Sequence, residues 1–171
     1  MKNIQYACTI IICLLVIDCS NPIAFYSTTP DQSKPGKVHF IAAGGAHTTI
    51  AVFKENCECK GIHRVSFFAP SVDQIIYVPY GKFLTFHAFA QTSFYSGGTL
   101  GVRIAGGVYS VPFESGELRV TLVPKSDNLF TKIERLDPII GWIPVQGVIN
   151  REASQPFFET GAWCTPTPGI E

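Results

Sequence analysis

The residues best suited to chemistry are Cys57-Glu58-Cys59 with His63 close behind, and Cys164 far downstream. Two thiolates and an imidazole would fill three corners of a zinc tetrahedron. The Cys-x-Cys-x3-His spacing is not a common structural zinc pattern, and a fourth ligand is missing, so no metal is expected. Cysteines one residue apart bridge each other only with strain. Cys164 is therefore the expected disulfide partner of Cys57 or Cys59. Such a bridge would clamp the C-terminal tail to the loop between the second and third strands. Free thiols are the second reading.

His39, His47 and His87 fall on separate strand-like runs. A catalytic triad needs nucleophile, base and acid to converge, and no Gly-x-Ser-x-Gly elbow is present. Each histidine is expected to be an ordinary strand residue. Gly44-Gly45, Gly97-Gly98 and Gly106-Gly107 lack a following Lys-Ser/Thr and a helix to hold an anion. They read as hairpin and loop glycines. No catalytic residue and no cofactor is expected. Phe67, Phe68, Tyr77, Tyr80, Phe83, Phe86, Phe89, Phe94 and Tyr95 crowd one third of the chain. A sandwich core needs such large side chains, so core is the expectation. Phe94 and Tyr95, beside Ser96-Gly97-Gly98, are the candidate surface-binding pair on an exposed loop.

Short strands must position these groups. Apolar runs at 38–42, 48–53, 63–69, 74–78, 83–91, 99–104, 108–113, 118–123 and 129–135 are separated by Gly-, Pro- and Asn-rich turns. Residues 99–104 and 108–113 flank Ala105-Gly106-Gly107, which reads as a hairpin turn. The run 83–91 carries apolar residues on both faces, so both are expected to be covered. Ile139 to Val145 could add an edge strand, where Pro144 is tolerated. No window shows a helical period. The expected fold is all-β, an antiparallel sandwich of about eight or nine strands, immunoglobulin-like or transthyretin-like.

Lys plus Arg total 13 and Asp plus Glu 13, so the net charge is zero. The basic residues are scattered singly, which argues against a nucleic-acid partner. Only 15% of residues are charged, low for a globular chain.

The N-terminus reads as an export signal. Lys2 precedes an uncharged, mostly apolar run, Ala7 to Ile17. Eleven residues are too few to span a bilayer, which takes about 20, but suit a signal peptide. The run ends in Val16-Ile17-Asp18-Cys19-Ser20, which resembles the bacterial lipobox. The resemblance implies a diacylglycerol on the Cys19 thiol, cleavage before Cys19 and acylation of the new amine. Asp18 departs from the usual Gly, Ala or Ser. Ser20, rather than Asp, implies the outer membrane by the bacterial sorting rule. Expected boundaries are a signal peptide at 1–18, lipidated Cys19 and flexible linker at 19–36, a sandwich at 37–145, and an irregular tail at 146–171 packed on it. Acylation of Cys19 would leave three cysteines, one bridge and one spare thiol.

Residues 74–135 resemble a loose group of small bacterial envelope lipoproteins of unknown function. The shared elements are Tyr77-Val78-Pro79-Tyr80-Gly81-Lys82, the long strand Phe83 to Ala90, Phe113-Glu114-Ser115-Gly116, and strands 118–123 and 132–135. Arg119 stands near a place the group often fills with tyrosine, and the group's cysteine pair has no counterpart between 60 and 163. The resemblance implies a sandwich and an envelope address, and transfers no catalytic residue. The expected role is a non-enzymatic lipoprotein held to the membrane through Cys19, structural or binding a protein or cell-envelope partner. The alternative is a secreted module that binds carbohydrate or protein.

Overall fold

The computed structural model describes Tyr26 and residues 33–125, 128–154, 156 and 161–170. Expectations for 1–18, Cys19, most of the linker, and Phe157 and Phe158 lie outside the described residues. Within them the chain forms ten strands and no helix: β1 (Gly36–Ala42), β2 (His47–Glu55), β3 (Lys60–Ala69), β4 (Val72–Val78), β5 (Gly81–Ser96), β6 (Thr99–Phe113), β7 (Glu117–Lys125), β8 (Asn128–Asp137), β9 (Gly141–Pro144) and β10 (Ile149–Arg151). One sheet runs β4-β1-β7-β8-β9 and the other β10-β6-β5-β2-β3.

Period-two patterning explains why the sheets face each other. In β1, Val38, Phe40 and Ala42 point inward while Lys37, His39 and Ile41 alternate outward. In β7, Leu118, Val120 and Leu122 do the same between Arg119 and Thr121. Ile50, Val52, Leu84, Phe86, Val111 and Phe113 meet them from the second sheet. Each fully buried aliphatic or aromatic side chain contributes roughly 1.5–3 kcal/mol. The fold is thus the expected all-β sandwich, with ten described strands rather than eight or nine. The described pairings are antiparallel except β1 with β7, which is parallel. Pro144 sits on the edge strand β9.

Three expectations need correction. Ala105-Gly106-Gly107 is not a turn, because β6 runs unbroken through it, paired with β5 from Thr99 to Phe113. The turn is Gly97-Gly98, whose φ angles of 58° and 82° suit a two-residue hairpin. Gly106 instead permits close strand contact. Its φ is +146°, and a Cβ there would lie 2.1 Å from the Ala88 carbonyl oxygen. Second, the C-terminal tail is not wholly irregular, since β10 pairs with β6. Third, the linker is not free along its length. The Tyr26 N–H donates to the Arg64 carbonyl at 2.8 Å, and the ring packs edge-on to His63.

Gly106→Ala is expected to lower stability by at least about 2 kcal/mol, because backbone must move and the φ is strained for any side chain. Gly44→Ala, whose Cβ would meet only the Pro70 oxygen at 3.8 Å, should change it by less than about 0.5 kcal/mol. Urea unfolding of both variants checks this; equal losses would contradict the role given to Gly106.

Candidate functional site

Strand β5 buries both faces. Leu84, Phe86 and Ala88 enter the sandwich core, yet Thr85 and His87 on the opposite row are also buried. The cover is the C-terminal tail. After β10 the chain turns back on itself. Ser154 N–H donates to the Trp163 oxygen at 2.9 Å and Thr165 N–H to the Glu152 oxygen at 3.2 Å. Cys164 is then joined by a disulfide to Cys59, in the loop between β2 and β3, with a Cα–Cα distance of 5.6 Å. Their sequence separation is 105 residues. Chain entropy for a loop of that length makes the closure worth about 4–5 kcal/mol. Phe53, Cys59, Val108 and Cys164 form a second small core there, with Ile62 and Trp163 against it.

Arg151 fastens the same junction from below. It is 5% exposed, and its guanidinium donates to the carbonyls of Asn56, Cys57 and, at 2.6 Å, Thr165. The Asn56 side chain continues the sheet past the end of β2. Its amide donates to Phe83 O at 2.8 Å, and its oxygen accepts from Thr85 N–H at 3.0 Å.

Beside this strap the outer sheet face is open. A concavity of roughly 550 Å³ is lined by His47, Thr49, Ile62, Arg64, Phe67, His87, Phe89, Gln91, Ile104, Ala153, Ser154 and Trp163. A bulge builds its rim. Thr48 pairs with Ala69 and Ile50 with Ser66, so Phe67 and Phe68 together oppose Thr49. Phe68 takes a φ of 50°, rare for a bulky residue, and stacks on His47 with ring centroids 4.2 Å apart. Phe67 is turned to solvent at 57% exposure beneath the Arg64 guanidinium, 4.1 Å from the ring.

His87 forms the floor and is 2% exposed. Neither ring nitrogen has a hydrogen-bond partner among the described residues. Phe53, Phe89 and Trp163 surround the ring at centroid distances of 5.5, 5.2 and 5.4 Å. Burial, aided by the positive charge of Arg64, pushes its pKa down to about 4. The imidazole is thus neutral at physiological pH and serves as an aromatic wedge. The lining hydroxyls are engaged within the fold. Ser154 Oγ donates to Ala162 O at 3.0 Å, and Thr49 Oγ1 accepts from Phe68 N–H at 3.2 Å. No carboxylate is among the described lining residues.

The remaining candidates are dispersed. Cys59 spends its thiol in the disulfide, so it is not free to join Cys57 and His63 around a metal. Cys57 is a free thiol, its Sγ 3.8 Å from Thr167 O. His63 approaches Gly61 O at 3.2 Å. His39 lies on the other sheet, 2.5 Å from Asp73. Glu134, also on that sheet, is buried. Burial favours its neutral form, but hydrogen bonds from Lys132 and Arg119 outweigh this and hold its carboxyl below the usual range. Arg119 also covers the Trp142 ring at 4.4 Å. That pairing is structural.

The aromatics do not follow the core expectation. Phe86 is core, but Phe67, Phe68, Tyr80, Phe94 and Tyr95 are 38–75% exposed. Phe94 and Tyr95 are exposed as expected, though on strand β5 rather than a loop. Sequence reasoning missed the grouping of Arg64, Gln91 and Trp163, which share no motif. The double-sided apolar pattern of 83–91 was the one available signal that something covers this face.

No family model, curated protein or solved structure matches the chain, so the site rests on its own geometry.

The buried neutral His87 makes stability pH-dependent with a defined sign. Its unfolded pKa is about 6.5 and its folded value about 4. Between these the unfolded chain binds the extra proton, so stability rises with pH. The contribution is complete above the unfolded value and is lost as pH falls toward the folded one. From pH 7 to 4.5 it should amount to about 2–3 kcal/mol. Urea midpoints of the parent and His87→Phe at both pH values check this; an unchanged pH dependence in the variant would contradict it.

Proposed function

We propose that the protein is an exported lipoprotein of a bacterial envelope, anchored through an acylated Cys19, that binds a partner on the outer face of its β10-β6-β5-β2-β3 sheet and catalyses nothing. The outer membrane is the assigned address, on the strength of Ser20. The observation that carries the binding reading is the concavity beside the strap. It offers aromatic and aliphatic walls, Phe67, Phe89, Ile104 and Trp163, with polar groups at its edge. Such a lining suits recognition of a ligand with apolar faces. Hydrolysis would need a nucleophile and base in reach of each other. Here the lining hydroxyls of Thr49 and Ser154 are tied to backbone and the His87 nitrogens are enclosed.

Exposed aromatics on one sheet face favour one further reading, a module secreted without the lipid that takes carbohydrate there. Phe67 and Tyr95 both point outward. Aromatic faces stack on the apolar faces of sugar rings, as they do on other apolar surfaces.

Palmitate labelling of the full chain in a bacterial host should mark the protein and leave a Cys19→Ala variant unmarked. A soluble, unlabelled parent would replace the anchored reading with the secreted one. Trp163 reports on the concavity, and a Trp142→Phe background isolates its emission. Titration with soluble peptidoglycan fragments should shift that emission saturably, and Phe89→Ala should weaken the apparent affinity about tenfold. No shift with those fragments or with neutral oligosaccharides would reject binding at this face.

A further inference from the structure

Strands β5 and β6 outrun their sheet. Strand β2 accompanies β5 only as far as the His47–Gln91 pair, and β10 accompanies β6 only at Val108–Ser110. Beyond these, Thr92–Ser96 pairs with Thr99–Arg103 as a two-stranded ribbon. Pairing fixes which side chains share a face. Tyr95 opposes Leu100, Ser93 opposes Val102, and Gln91 opposes Ile104. Gln91 and Ile104 line the concavity, so this face continues the outer sheet surface. Along it Tyr95 is 75% exposed, Leu100 70%, Val102 53% and Ile104 66%. The opposite face is filled, since the Phe94 ring lies over Gly101, with Arg103 above it at 5.0 Å.

The open face is suited to an occupant, because a flat apolar row on a ribbon with unpaired edges invites association. Two observations indicate which. First, no Asp or Glu occurs from Gly81 to Phe113, and the one charged residue of the arm itself is the basic Arg103. The described carboxylate at that end, Asp73, stands on β4 at an edge of the other sheet, paired with His39. Second, the chain between Cys19 and Tyr26 is short. Tyr26 is hydrogen-bonded to Arg64 on β3. Seven residues reach at most about 25 Å, and the run from Arg64 to Ala69, at the ribbon end of β3, covers about 17 Å. An acyl group on Cys19 can therefore sit at the ribbon end of the sandwich.

We propose that the ribbon's open face is a membrane-contact surface: Tyr95, Leu100, Val102 and Ile104 enter the headgroup layer of the anionic bilayer that holds the anchor. The acid-free arm meets anionic headgroups without repulsion, and the tyrosine with aliphatic neighbours suits the interface. The anchor argument rests on the Cys19 reading proposed above. The surface itself is tested without it.

A chain beginning at Ser20 keeps every described residue. Held to vesicles by an N-terminal hexahistidine tag and a nickel-chelating lipid, it needs no acyl group. The vesicles contain phosphatidylethanolamine and phosphatidylglycerol with brominated acyl chains. Tyr95→Trp, Leu100→Trp and, at the opposite end, Ile139→Trp each add one reporter to the parent's two tryptophans. Ile139 is 92% exposed and serves as the control. Bromine should quench the added emission at 95 and 100 by at least half and leave that at 139 unchanged. Equal quenching at all three positions, or none at 95 and 100, overturns the proposal. So does a dimer in solution that Leu100→Ser dissociates, since a second copy would then be the occupant. Loss of palmitate labelling with quenching intact would remove the anchor and leave the surface standing.

Discussion

The Cys59–Cys164 disulfide is the constraint on which the outer face of the β10-β6-β5-β2-β3 sheet depends. The sandwich core would close without it, because the inner faces of both sheets bury their own apolar rows. The outer face of the second sheet would not. His87, Phe53 and Val108 are covered only because the tail returns to the β2–β3 loop and is held there. Arg151 makes the same connection in polar form, joining backbone oxygens on both sides of the bridge. An apolar patch is thereby divided into a sealed half and an open half. The concavity is the boundary between them.

His87 shows what this arrangement costs and what it gains. A buried ring whose two nitrogens find no partner among the described residues is unfavourable by roughly the desolvation of those atoms. Aromatic contacts on three sides offset part of that. The ring is held in its neutral form by burial and by Arg64, so it adds no charge beneath the concavity. The positive character of that face comes from the rim, where Arg64 lies over Phe67. Two kinds of surface thus meet across one strand.

Much of the fold was legible because strand alternation is a short-range signal. Nine apolar runs each fall within a described strand, and the turn residues fall between them with one exception. Gly106-Gly107 and Gly97-Gly98 look alike in sequence. Only pairing distinguishes them: one pair closes a hairpin, while in the other Gly106 lets β6 pass close to the Ala88 carbonyl. The aromatics failed for a related reason. Composition cannot say which face of a strand a side chain takes, and a single bulge at Phe67-Phe68 sends both rings outward. The concavity draws residues from positions 47 to 163, so no local pattern encodes it. Cys164 was readable as a bridge partner through its chemistry, but the choice of Cys59 over Cys57 follows from loop geometry.

The β5–β6 ribbon is the part of the structure least explained by folding alone. A two-stranded hairpin is marginal in water unless something packs on it. One face has its packing, with Phe94 filling the space that Gly101 leaves and Arg103 above the ring, an arrangement that shields the backbone of a weak strand residue. The other face has four large apolar side chains, each more than half exposed. A soluble edge would carry a charge or a proline among them, and this face carries neither. Stability of the isolated domain would be served by a shorter hairpin ending near Gln91. The proposed membrane contact would account for the extra length, and the continuity from Leu100 through Ile104 into the concavity would put it and the proposed binding site on one surface.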